Sequence, residues 1–470
     1  MAELMNVQDD GATNALRDGI AYADQWLEYR CEFRNHPGLV VAIQKDDEIR
    51  LSNAYGMANL ERHAPMTTRH IFRIASHSKT FTATAIMQLV QDGRVRLDDR
   101  LAAHLSWLST SDATIRQTLN HASGVIRDGL DADFWRVEHD FPGLEQLRES
   151  ASRQILEPNT LFKYSNIGYA LLGLVIEAVT GQAYNDYVRQ HIIQPLGLAD
   201  TGPEVDPSLS DRLVTGYTRA HLGVPRRPMP LVIDTHALSP ATGFYSTAED
   251  LCRYARAHYM GEERLLTDAS KREMQQPYWG IEQADGERYG LGLSVREIGK
   301  RRMVGHGGGF PGQSTRTLID SHDRLVVVVF SNTSASDGLA APLAEGVVKI
   351  IDFALSRAGA PATDVAAATY TGRYANLGGV LDIVAVGNGL FGISPEADDP
   401  TARVSELHVV DADTLKIEKT GGYGSPGELV RFERGADGHV QKVIWGGVGS
   451  YPVAAFRERY QTAQRTLVQA

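Results

Sequence analysis

The chain has 470 residues, 43% hydrophobic and 22% charged, which excludes wholesale disorder and leaves room for about three domains, or one large domain and a smaller one. Lysine and arginine number 47 against 58 aspartates and glutamates, a formal net charge of −11, which argues against holding nucleic acid by counterion release or docking on anionic lipid. Two cysteines, Cys31 and Cys252, cannot supply a disulfide framework or a metal cluster. The first ten residues have neither the basic start nor the apolar run of a signal peptide. The longest apolar run, Leu325 to Phe330, is far below a membrane span of about 20 residues. A reduced, cytoplasmic setting is expected, with no metal and no cofactor.

In chain order, Val40–Ile43 and Glu48–Leu51 read as a hairpin turning at Lys45, Asp46 and Asp47. Phe81, Ala85, Ile86, Leu89 and Val90 recur at helical spacing, and Gly93 is a plausible stop. Tyr169–Val179 is a strongly apolar helix ended by Gly181. Arg316–Ile319 and Leu325–Phe330 form a second strand pair. Strands at both ends with helices between predict an α+β layer whose terminal strands meet in one antiparallel sheet. Ser356–Thr369, Ala-rich with Gly359 and Pro361, reads as a linker. After Tyr370 all signals are β: Leu381–Val386 with Leu390–Ile393, then Leu429–Phe432 with Val440–Trp445, each pair around a glycine-rich turn. That spacing predicts a small antiparallel barrel or sandwich. The expected domains are 1–355, a linker over 356–369, and a β-module over 370–470.

Three short patterns bear on chemistry. Ser76-His77-Ser78-Lys79 follows the strand-like Ile71–Ile74 and opens a helix. A serine there sits among unpaired N–H groups that would stabilise an oxyanion. Lys79, three residues on, shares its helix face, and a lysine in a dry pocket can accept the hydroxyl proton. The plain alternative is an N-cap serine with a solvated lysine. Tyr164-Ser165-Asn166 precedes the apolar helix. Its tyrosine, beside a charged lysine, could act as a phenolate-like base or proton shuttle, and its asparagine could donate to a substrate carbonyl and accept from the lysine. The alternative is a packing tyrosine and a turn asparagine. His306-Gly307-Gly308-Gly309 precedes the last strand pair. Glycines there let a strand edge approach substrate and present an N–H to an oxyanion; the alternative is a glycine turn with an incidental histidine. There is no Gly-x-Ser-x-Gly elbow, His-Glu-x-x-His zinc helix or phosphate-binding glycine loop.

In order, these motifs resemble the serine β-lactamase and penicillin-binding protein superfamily, and within it the class C-like branch with D-aminopeptidases and esterases. Supporting phrases include His121-Ala122-Ser123-Gly124, Pro195-Leu196-Gly197-Leu198 and Tyr245–Leu251, over residues 37–355. The resemblance implies a β-lactamase/transpeptidase-like domain; the β-module that follows is expected to be a small lipocalin-like antiparallel barrel. It implies Ser76 as acylated nucleophile, Lys79 as its proton acceptor and Tyr164 as proton relay. Asn166 would position the carbonyl, Ser76 and Gly309 would supply oxyanion N–H groups beside Gly308, and His306 would polarise the site or orient Tyr164. Tyr374-Ala375-Asn376 and Lys419-Thr420-Gly421 also spell the motifs but fall in the β-module, and Lys419–Gly427 is expected to lie over the cleft as a loop limiting substrate size.

The implied function is hydrolysis of small amides or esters, first among them D-amino-acid amides and peptides. A carboxylesterase or weak β-lactamase is the alternative, and a non-catalytic binding or scaffolding homologue is the rival of another class. A small-molecule substrate is the expected partner; a homodimer through the β-module is an open option. Specificity is expected in the loops Arg127–Glu145 and Gly216–Pro240.

Overall fold

The computed structural model describes residues 2–108, 111–282, 286–334, 340–359, 367–421 and 424–469. Contacts divide the chain into two compact units: Asn35–Ala344, and Met1–Arg34 with Glu345–Ala470.

The first unit is built on a nine-stranded antiparallel sheet. Its strands are β1 (Gly38–Lys45), β2 (Glu48–Asn59), β3 (Ala64–Pro65), β6 (Trp279–Gly280), β7 (Arg288–Tyr289), β8 (Ser294–Ile298), β9 (Arg301–Phe310), β10 (Gln313–Asp320) and β11 (Leu325–Ser331), while β4 (Phe72–Arg73) and β5 (Tyr245–Ser246) form a separate pair. The sheet order is β3-β2-β1-β11-β10-β9-β8-β7-β6. The strands from the two ends of the unit therefore meet, with Leu39 opposite Ser331 and Lys45 opposite Leu325. Every residue of β11 is buried, which explains an apolar run without alternation.

Two helices position the site. Ser78–Gln91 buries Phe81, which stacks on Tyr254 at 3.7 Å and Phe244 at 4.3 Å. Asn166–Thr180 is capped by Ser165, whose Oγ accepts the Gly168 N–H at 2.8 Å. It ends at Gly181, whose φ of +75° suits a residue without Cβ.

The second unit carries a closed eight-stranded barrel: β12 (Gly372–Asn376), β13 (Gly379–Val386), β14 (Gly389–Ile393), β15 (Val404–Asp411), β16 (Thr414–Lys419), β17 (Leu429–Arg434), β18 (Val440–Trp445) and β19 (Val448–Pro452). Tyr370, Tyr374, Leu390, Ile417, Val430 and Phe432 fill its core. The predicted hairpins are present, but Val453–Gln469 is helical; an all-β reading overlooked helix formers such as Ala454, Ala455, Arg457 and Glu458. The N-terminal helix Ala2–Phe33, expected within a 1–355 domain, is grouped with the barrel. Tyr22 donates to Asp382 at 3.1 Å and the Trp26 indole donates to the Pro395 carbonyl at 3.1 Å. Gly346 lies against the Trp26 ring, where a Cβ would come within 2.2 Å. Of the expected linker, residues 360–366 lie outside the described residues, as do Gly422 and Tyr423 of the expected cleft loop.

Candidate active site

β4 leads into a short 3-10 turn, Ala75–His77, and then the Ser78–Gln91 helix. Ala75 has a φ of +47°, a conformation non-glycine residues rarely hold unless their surroundings enforce it. The enforcement is visible. Ser78 Oγ donates to the Ala75 carbonyl at 2.6 Å and accepts the Phe244 N–H at 3.0 Å. Ser78 is thus a structural brace, and Ser76 is left partly exposed with its hydroxyl free for other partners.

Those partners are Lys79 and Tyr164. Lys79 Nζ lies 3.1 Å from Ser76 Oγ, and the Tyr164 hydroxyl donates to the same oxygen at 2.8 Å. Lys79 is fully buried and donates to the Ala241 carbonyl at 2.8 Å. Burial holds its amine well below the usual lysine range, opposed by the nearby Asp128 charge. Burial also pushes the Tyr164 phenol up. The tyrosine is therefore a neutral hydroxyl here, which fits the proton shuttle of the two anticipated roles and not the phenolate-like base. An amine whose charged form is disfavoured is more available as an acceptor for the Ser76 proton, and a neutral phenol can pass one on.

Asn166 opens its helix and donates from Nδ2 to Asp128 at 2.5 Å, while its Oδ1 is buried with no partner. It therefore does not accept from Lys79 as expected; its amide is oriented by a carboxylate. His306 sits on β9 opposite Thr317, with Nε2 2.9 Å from the Tyr289 hydroxyl and Nδ1 2.6 Å from the Gly307 carbonyl. Burial keeps this ring neutral, so Nδ1–H donates to the carbonyl and Nε2 accepts from Tyr289. His306 consequently orients Tyr289 rather than Tyr164.

Gly308 faces Ile74, whose carbonyl oxygen would lie 2.1 Å from an added Cβ. Its lack of a side chain lets β9 press against the Ser76 turn, and it does not border the cavity; Gly307 and Gly309 do. The cavity, about 530 Å³, is also bordered by Ser76, Tyr164, Asn166 and His306, by Arg127, Asp128, Glu287, Tyr289, Ser294 and Arg316, and by the apolar Trp135, Phe162 and Ile281. Asp128, Glu287 and Arg316 were given no site role from sequence. Asp128 and Trp135 lie in the first of the two loops expected to set specificity; the second contributes no bordering residue among those described. Arg316 is paired with Glu287 at 3.0 Å. The decoy Tyr374 lies in the barrel core, and Asn376 donates to Ser450 Oγ at 2.8 Å. Among the described residues no group of three or more His, Cys, Asp or Glu could hold a metal ion.

The Beta-lactamase family model matches residues 23–349. The chain belongs to the β-lactamase family. It is a serine hydrolase of that family's penicillin-binding-protein-like kind. Penicillin-binding protein 4* of Bacillus subtilis is 28% identical over 313 residues, covering 63% of this chain and 68% of that protein. The octameric penicillin-binding protein homologue of Pyrococcus abyssi shares the fold over 92% of this chain and 99% of its own, with a TM-score of 0.65 and 22% identity. The D-amino acid amidase of Ochrobactrum anthropi SV3, solved with D-phenylalanine, is 26% identical with a TM-score of 0.60, covering 73% of this chain and 99% of the amidase.

Proposed function

We propose that the protein hydrolyses small amides, foremost D-amino-acid amides and short peptides, through an acyl-enzyme on Ser76. The observation that carries this reading is one serine oxygen held between a buried amine and a phenol, Lys79 at 3.1 Å and Tyr164 at 2.8 Å. Ser76 Oγ attacks the substrate carbonyl carbon as its proton passes to Lys79 Nζ. The carbonyl oxygen becomes an oxyanion facing the Ser76 and Gly309 N–H groups. Collapse breaks the C–N bond, and the amine leaves with a proton relayed from Lys79 through the Tyr164 hydroxyl. Water then gives a proton back along the same route as it attacks the ester, releasing the acid and restoring Ser76.

The amino-acid preference rests on Asp128. Its carboxylate borders the cavity between Asn166, which donates to Oδ1, and Arg127, whose Nε donates to Oδ2 at 3.0 Å, and it can take a substrate ammonium group in exchange for the Arg127 contact. Likeness to a D-amino acid amidase supports the same class.

The test is a chromogenic panel of D- and L-alanine anilides, a short acyl ester and a cephalosporin. D-alanine anilide is expected to be preferred. Ser76→Ala is expected to lower turnover by about 10⁴-fold or more, and Asp128→Asn to raise KM for the anilide about 10-fold more than KM for the uncharged ester, both substrates sharing whatever the change does to Asn166 and Lys79. A preferred ester with no response to Asp128→Asn would move the assignment to a carboxylesterase. No turnover by folded wild type would favour a binding homologue.

A further inference from the structure

His121 meets two unfavourable conditions at once. Its φ is +61°, in the left-handed region that few non-glycine residues hold. Its ring is buried, and Nε2 has no partner, a state that costs free energy for a polar group out of water. The other ring atom explains the tautomer. Nδ1 accepts the Ser165 N–H at 3.1 Å, so it carries no proton and Nε2 does. Burial keeps the ring uncharged. Strain held by surrounding structure next to the tyrosine that faces Ser76 points to a role.

The role follows from what His121 touches. Its carbonyl accepts the Lys163 N–H at 2.7 Å, and its Nδ1 accepts from Ser165. Between those two residues stands Tyr164, whose ring lies 4.2 Å from the His121 ring, centre to centre. One residue thus holds the backbone on both sides of Tyr164 and packs against its side chain. The left-handed backbone lets carbonyl and ring face the same segment. A phenylalanine would lack the acceptor, and an asparagine would lack the face.

We propose that His121 is the positioning residue for Tyr164, setting the phenol within hydrogen-bond range of Ser76 Oγ through this three-point grip. The inference rests on the reading that the Tyr164 hydroxyl works with Ser76. Misplacing a catalytic group by about 1 Å can cost about 100-fold in rate.

The test is a double-mutant cycle with p-nitrophenyl acetate as probe, since its deacylation by water runs through Tyr164 whatever the natural substrate. His121→Leu is expected to lower kcat about 10- to 100-fold, with KM falling in step and kcat/KM, set by acylation with a nitrophenolate that needs no proton, changed less than about threefold. His121→Asn tolerates left-handed φ and keeps an acceptor, and is expected to recover part of the loss. In a Tyr164→Phe background, His121→Leu is expected to cost less than about twofold, because the hydroxyl it positions is gone. Equal loss in both backgrounds would show that His121 supports the fold at large and overturn the proposal. A Tyr164→Phe enzyme as active as wild type would instead overturn the reading of Tyr164, and the positioning role with it. Circular dichroism confirms folding of each variant, and where His121→Leu folds poorly, His121→Asn carries the same cycle.

Discussion

Lys79 shows how one side chain trades stability for chemistry. It has no carboxylate within ion-pair distance among the described residues; its amine donates to Ser76 Oγ and the Ala241 carbonyl and lies over the rings of Tyr164 and Tyr169. Its proton affinity is lowered by burial. As pH falls below the ordinary lysine value, the unfolded chain takes up a proton that the folded chain does not. Stability therefore falls with falling pH until the buried amine is protonated as well. Lys79→Met removes that term. The variant is expected to lose turnover yet melt at a higher temperature than wild type, with a larger gain at pH 7 than at pH 10. An equal or smaller gain at pH 7 would contradict the lowered proton affinity of Lys79. The same burial predicts that kcat/KM falls on the acid side, as Lys79 becomes protonated.

At the scale of elements, the β4–β5 pair holds the Ser76 turn, and Arg73 is its anchor. Arg73 is 1% exposed and pairs with Glu204 at 2.9 Å. It also donates to the Ile233 carbonyl at 2.6 Å and lies over the Phe310 ring at 4.3 Å. Its own N–H donates to Gln313 Oε1 at 2.8 Å, tying β4 to β10. Removing one partner of a buried pair strands the other charge, so Arg73→Met is expected to destabilise by about 3–5 kcal/mol. Adding Glu204→Gln is expected to return part of that loss, as denaturant titrations of the single and double variants would show. Arg73 was readable from sequence only as a polar interruption of an apolar strand. Its partners are more than a hundred residues away, and no local pattern names them. The helices were plainer, because the spacing of Phe81, Ala85 and Leu89 and the glycines at 93 and 181 are local signals.

At the scale of the molecule, each unit has its own apolar core. Denaturant unfolding is expected in more than one step. Trp26→Ala, which empties the space against Gly346, is expected to cost about 3–5 kcal/mol and to move one step while leaving the other in place. A single coincident transition, shifted as a whole, would show that the two cores unfold together.

The sequence by itself determined the α+β layer, the barrel hairpins and the motifs around Ser76, Tyr164 and His306, because periodicity, turn residues and motif order are properties of neighbours along the chain. Only the tertiary structure decided which groups those motifs face. It gave His306 to Tyr289 and Asn166 to Asp128, turned Gly308 toward Ile74, and, by burial, lowered the proton affinity of Lys79 and raised that of Tyr164. Proton affinity and hydrogen-bond partnership depend on burial and on atoms brought from distant segments, and neither is a property of a residue's neighbours in sequence.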